Sequence, residues 1–113
     1  MALPDISGSN ARKPIAYDPL RNKFILFAEV VNGTEPLYPV GQLDPEALKQ
    51  LVIERLRQGP DFQLQSLGPD APMNRDAVIQ AIERDTPFGR MNVEAETAYL
   101  EDLHQQLRQA LGR

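Results

Sequence analysis

From Thr86 onward the chain carries an apolar repeat that only a long helix satisfies. Gly89, Val93, Leu100, Leu103, Leu107 and Leu111 recur at helical steps with only Glu96 interrupting, while Arg90, Glu94, Glu101, Gln105 and Arg108 fall away from that stripe. Two starts compete. Thr86-Pro87 offers an N-cap followed by a proline at the first helical position, and Asn92 offers a second N-cap. The earlier start keeps Gly89 and Val93 in phase and gives a helix of about 37 Å at ~1.5 Å per residue. A stripe of this kind demands cover, either from the chain's own sheet or from a second protein. Leu100, Leu103, Leu107 and Leu111 are therefore the candidate partner-facing residues.

The preceding chain supplies two further helices with clear starts. Asp44 caps a helix opened by Pro45, with Leu43 and Leu48 placed as a hydrophobic staple and Gly59-Pro60 as the stop. Leu48, Leu51, Val52 and Leu56 read as its inner face, and Glu46, Lys49, Gln50 and Ile53 as its outer one. Asn74 caps the next helix, with Val78, Ile79 and Ile82 inward. It meets the last helix at an elbow, Thr86-Pro87-Phe88-Gly89, where the glycine allows close packing.

Strand signals lie mostly upstream. Lys13 to Tyr17 reads as a short strand whose proline suits an edge, and Asp18-Pro19-Leu20-Arg21-Asn22 as a turn. Phe24 to Val31 is rich in β-branched and aromatic residues and apolar on both faces, which predicts a central strand with Glu29 reaching solvent or an arginine. Asn32-Gly33 predicts a hairpin, with Thr34 to Val40 returning as an edge strand interrupted by Pro36 and Pro39. Phe62 to Leu67 alternates as a half-buried strand does. The expected architecture is α+β: a small, mainly antiparallel sheet of three to four strands with three helices, the C-terminal one longest. Residues 1–13 read as a flexible arm that Ile6 pins locally, and 14–113 as a single domain.

Reactive chemistry is poorly provided for. The chain has no cysteine and one histidine, His104, which reads as a surface or boundary helix residue. Its serines lack a nucleophile-elbow setting, and no Asp-rich calcium loop or glycine-rich phosphate loop is present, Gly89-Arg90 near a helix start being the only faint candidate for a phosphate site. The carboxylates Glu94, Glu96, Glu101 and Asp102 read as a solvated helix face. No catalytic residue, metal or cofactor is therefore expected, and the chain is read as a non-enzyme.

A net charge of −4 disfavours a nonspecific hold on nucleic acid or an anionic membrane. No run approaches the ~18 apolar residues of a membrane span, and Met1 to Asn10 does not resemble a secretory signal. A cytoplasmic protein is expected. The functional expectation is a protein–protein interaction module acting as adaptor, assembly subunit or self-associating domain. A DNA-binding or transcription-associated domain using Arg75, Arg84 and Arg90 is the first alternative, and a small-ligand regulatory domain or enzyme accessory subunit the second.

Overall fold

The computed structural model describes residues 3, 4, 6, 8–60 and 74–112. It is an α+β fold in which strands β1 (Pro14–Asp18) and β2 (Lys23–Leu26) pair antiparallel, followed by helices α1 (Phe27–Val31), α2 (Pro45–Gln58), α3 (Arg75–Glu83) and α4 (Pro87–Leu111). Short 3-10 turns occupy Gly8–Arg12 and Val40–Gln42. Among the described residues the sheet has two strands where three to four were expected, and there are four α-helices where three were expected. The expected strand Phe62 to Leu67 lies outside the described residues.

The largest correction concerns Phe24 to Val31. It begins as a strand but turns into α1 at Phe27. Glu29 drives the switch: its Oε1 accepts the Leu26 N–H at 3.0 Å, satisfying a donor that the helix start would otherwise orphan. Asn32-Gly33 then ends a helix instead of reversing a strand. Gly33, at φ 79°, donates to the Val30 carbonyl, and Thr34 donates to that of Glu29, the paired bonds of a Schellman motif. Positive φ suits a helix terminus as well as a hairpin, so the dipeptide was ambiguous. Thr34 to Val40 forms no strand, and among the described residues the hairpin is the one at Asp18 to Asn22. There Asp18 Oδ1 accepts the Leu20 N–H at 3.0 Å, and Asn22 adopts φ 52°.

A two-stranded sheet is marginal alone and relies on helices for cover. Every residue of β1 is buried. Its register with β2 steps from Ala16↔Ile25 to Pro14↔Leu26, which leaves Ile15 as the extra residue of a β-bulge. The hairpin packs with α1, one side of α2 and the distal half of α4 into one apolar core that includes Ile15, Ala16, Ile25, Val30, Leu51, Leu100, Leu103 and Leu107. A second core joins Val52 and Ile53 of α2 to Val78, Ile79 and Ile82 of α3, with Phe88 and Val93 of α4 against it. Helix α4, about 37 Å long at ~1.5 Å per residue, serves both.

The three long helices start where the sequence places them. Asp44, Asn74 and Thr86 accept the N–H groups of Ala47, Ala77 and Gly89 at 2.8, 2.9 and 3.0 Å. On α2 the inner face is rotated from the expected one: Ile53 and Arg55 are buried, whereas Leu48 and Leu56 are half-exposed. The α3–α4 elbow is tight. A Cβ on Gly89 would lie 2.2 Å from the Ala81 carbonyl oxygen, so no other residue fits without parting the helices. Thr86 Oγ1 donates to that same oxygen at 3.0 Å, and Asp85 occupies the left-handed region at φ 57° between the helices.

Candidate functional site

The residues nominated from sequence fall into two groups. Leu100, Leu103 and Leu107 are buried against the chain's own hairpin core, with Leu111 half-buried at its edge. In this conformation the leucine stripe is covered from within. Burying each of the three contributes about 1.5–3 kcal/mol. Arg75, Arg84 and Arg90 do not converge. Arg75 sits at the start of α3, where its Nη1 donates to the Gly59 carbonyl at 2.9 Å. Arg84 and Arg90 stand exposed at the other end of α3, where Asp85 lies 3.8 Å from Arg90. Three arginines reading one DNA groove would need a common face, and these lie at opposite ends of a helix.

His104 departs most from its expected place. It is fully buried, with Nε2 2.5 Å from the Ile15 carbonyl oxygen at the bulge. A carbonyl only accepts, so Nε2 carries a proton toward Ile15. Its Nδ1 is buried with no hydrogen-bond partner among the described residues. Burial holds its pKa below the ordinary histidine value, against the opposing pull of the Ile15 bond. The sequence did carry the signal: His104 lies four residues after Leu100 and three before Leu107, inside the stripe.

The neighbouring carbonyl on β1 is met in the same way. Arg55 donates to Pro14 O at 2.9 Å and to Glu96 Oε2 at 3.1 Å, with its guanidinium 5.4 Å from the Tyr99 ring centroid. Glu96, the apparent flaw in the stripe, is thus the acidic partner of a buried cation. Two consecutive strand carbonyls are satisfied by side chains from two different helices.

A third polar cluster ties the hairpin to the segment after α1. Glu35, nine-tenths buried, accepts from Arg21 and from Lys23 at 2.7 Å, and Lys23 also reaches Glu29 at 3.1 Å. Hydrogen bonds from Arg21 and then Lys23 pull the Glu35 carboxyl down to about 2. The Arg21 bond does the same in direction for Asp18, and the Leu26 N–H for Glu29. Each acid here has a cation or a backbone donor, so the cluster is a brace with no spare group for chemistry.

An open concavity lies elsewhere, at the elbow. Leu43 and Leu48 on the α2 side, Ile82 of α3 and Val93 of α4 wall a cleft of about 270 Å³ floored at Gly89. Its rim carries Lys49, Asp85, Arg90 and Glu94. Asp85 stands 3.7 Å from Lys49 and 3.8 Å from Arg90, beyond hydrogen-bond length, so both cations keep donor capacity toward solvent or a bound group. The elbow was legible in the sequence but the cleft was not, because the cleft forms only where Leu43 and Leu48 meet the α3–α4 corner.

Among the described residues no group of three His, Asp or Glu side chains is placed to hold a metal ion, and no helix is long and apolar enough to cross a membrane. The sole imidazole is spent inside the core. No protein-family model, curated protein or solved structure matches the chain.

Proposed function

We propose that this chain is a non-enzymatic interaction module that receives an apolar side chain of a partner protein in the elbow cleft. The observation that carries the reading is the cleft itself: apolar walls from three helices, open to solvent, with a mixed-charge rim that suits a polar surround. Its size favours a side chain over a free ligand, since small-molecule sites run from about 300 to 1,000 Å³ and enclose most of their ligand. The acids on α4, Glu94, Glu101 and Asp102, are exposed and oppose a phosphate backbone, which argues against the DNA-binding alternative.

Photo-crosslinking tests the reading. A photoreactive residue at Arg90, on the cleft rim, is expected to capture a discrete protein in the source cell, and a Val93→Lys change is expected to abolish that capture while the helical circular dichroism persists. Capture from position Leu20 at the hairpin tip, with none from Arg90, would place the partner elsewhere and refute the cleft.

A further inference from the structure

The attachment of the hairpin to α4 combines apolar packing with one buried imidazole. His104 is fully buried, donates from Nε2 to the carbonyl of the bulge residue Ile15, and has a buried Nδ1 with no hydrogen-bond partner among the described residues. A second proton would go on Nδ1. It would add a positive charge and an N–H with nothing to receive it, and burying such an unmatched donor is unfavourable. The charged groups acting on the ring do not offset this together: Arg108 on α4 and Arg55 on α2 oppose a second proton, and only Glu101 on α4 favours it. From β1 the ring meets the Ile15 carbonyl, already engaged.

The surroundings decide what would move. His104 lies among residues of the hairpin core, and the second core, Val52, Ile53, Val78, Ile79 and Ile82, is built from other residues, although α2 and α4 contribute to both. We propose that His104 is a proton-operated latch: neutral, it fastens β1 to α4, and on protonation it lets the β1–β2 hairpin lift from Leu100, Leu103 and Leu107 while the α2–α3–elbow core stays packed. This inference is independent of the elbow cleft, whose lining includes neither His104 nor any residue of the β1–β2 hairpin.

The direction follows from linkage. An imidazole kept neutral by the fold binds its proton more readily in the open form, so the latch is fully closed above the ordinary histidine pKa of about 6.5 and weakens as pH falls below it. With one proton taken up per opening, protection of the hairpin amides drops by up to tenfold per pH unit in that range. The window between pH 6.5 and 5 also lies above the ordinary range of Glu35, Glu29 and Asp18, whose carboxyls are held lower still.

The test is hydrogen-exchange mass spectrometry on the full chain between pH 7.5 and 5, with rates corrected for the intrinsic pH dependence of exchange. Protection of peptides covering 14–26 is expected to fall below pH 6.5 while that of 75–83 holds. A ring ¹⁵N titration of His104 in the same samples is expected to follow the loss. In His104→Gln, whose amide can donate to Ile15 O but does not titrate, the pH dependence is expected to vanish. Constant hairpin protection across the range would overturn the latch, as would parallel loss in the hairpin and α3, or a pH dependence that survives in His104→Gln. Should that variant fail to fold, the wild-type exchange and ring titration decide alone.

Discussion

Around the distal half of α4, apolar residues such as Ile15, Ile25 and Leu107 are interleaved with His104, Arg55, Glu96 and the Arg21–Lys23–Glu35 brace. Around its proximal half, Val52, Ile53, Val78 and Ile82 are held by aliphatic packing, backbone caps and one indispensable glycine. The difference follows from what each core packs. The hairpin core contains a strand with a bulge, so it has backbone carbonyls to satisfy; the helical core contains backbone already paired within helices. Polar side chains enter where the main chain leaves a group to be met, and they bring sensitivity to protons with them.

The comparison can be broken from either side. The largest expected effect is from Leu107→Glu, which places a carboxylate at a fully buried site and should unfold the domain, a loss above about 4 kcal/mol. A folded Leu107→Glu variant with altered mass in solution would instead show that this residue faces a partner. Gly89→Val comes next. Its new side chain collides with the Ala81 carbonyl, and urea titration should show a loss of about 3 kcal/mol centred on the helical core.

Thr86→Ala removes the hydroxyl that accepts from Gly89 and donates to Ala81, and should cost about 1 kcal/mol in the same assay. The smallest effect is conditional on pH. The Glu35 carboxyl, held at about 2 against an ordinary 4.5, supports the fold fully above pH 4.5 and loses that support as pH falls toward 2. Acid-unfolding profiles of Glu35→Gln should therefore be flatter than wild type below pH 4.5. An unchanged profile would show that the brace does not contribute to acid stability.

Most of the helical end was legible from sequence, because its determinants are local. Asp44-Pro45, Asn74 and Thr86-Pro87 each announce a helix start within four residues, and Gly89 was readable as a close-packing residue beside an elbow. The hairpin end was less so. Phe24 to Val31 satisfies both a period of two and, through Phe27, Val30 and Val31, a helical one, and its β-branched composition argued for the strand. The deciding residues were Glu29, a capping acid mistaken for an end-of-strand charge, and Gly33, a helix terminator mistaken for a hairpin turn. The elbow cleft and the carbonyl contacts of Arg55 and His104 depend on elements far apart in sequence, so no local pattern announces them.

The bulge at Ile15 also imposes an order of events during synthesis. Its carbonyl is met by a residue 89 positions later, and that of Pro14 by one 41 positions later. Chain emerging from a ribosome at ~5–20 residues per second leaves β1 waiting several seconds for its last partner. Over that interval Asp44-capped α2 has already emerged and α3 follows it. Strand β1 is thus among the last of these elements to gain all its contacts, and the hairpin end is the part completed latest.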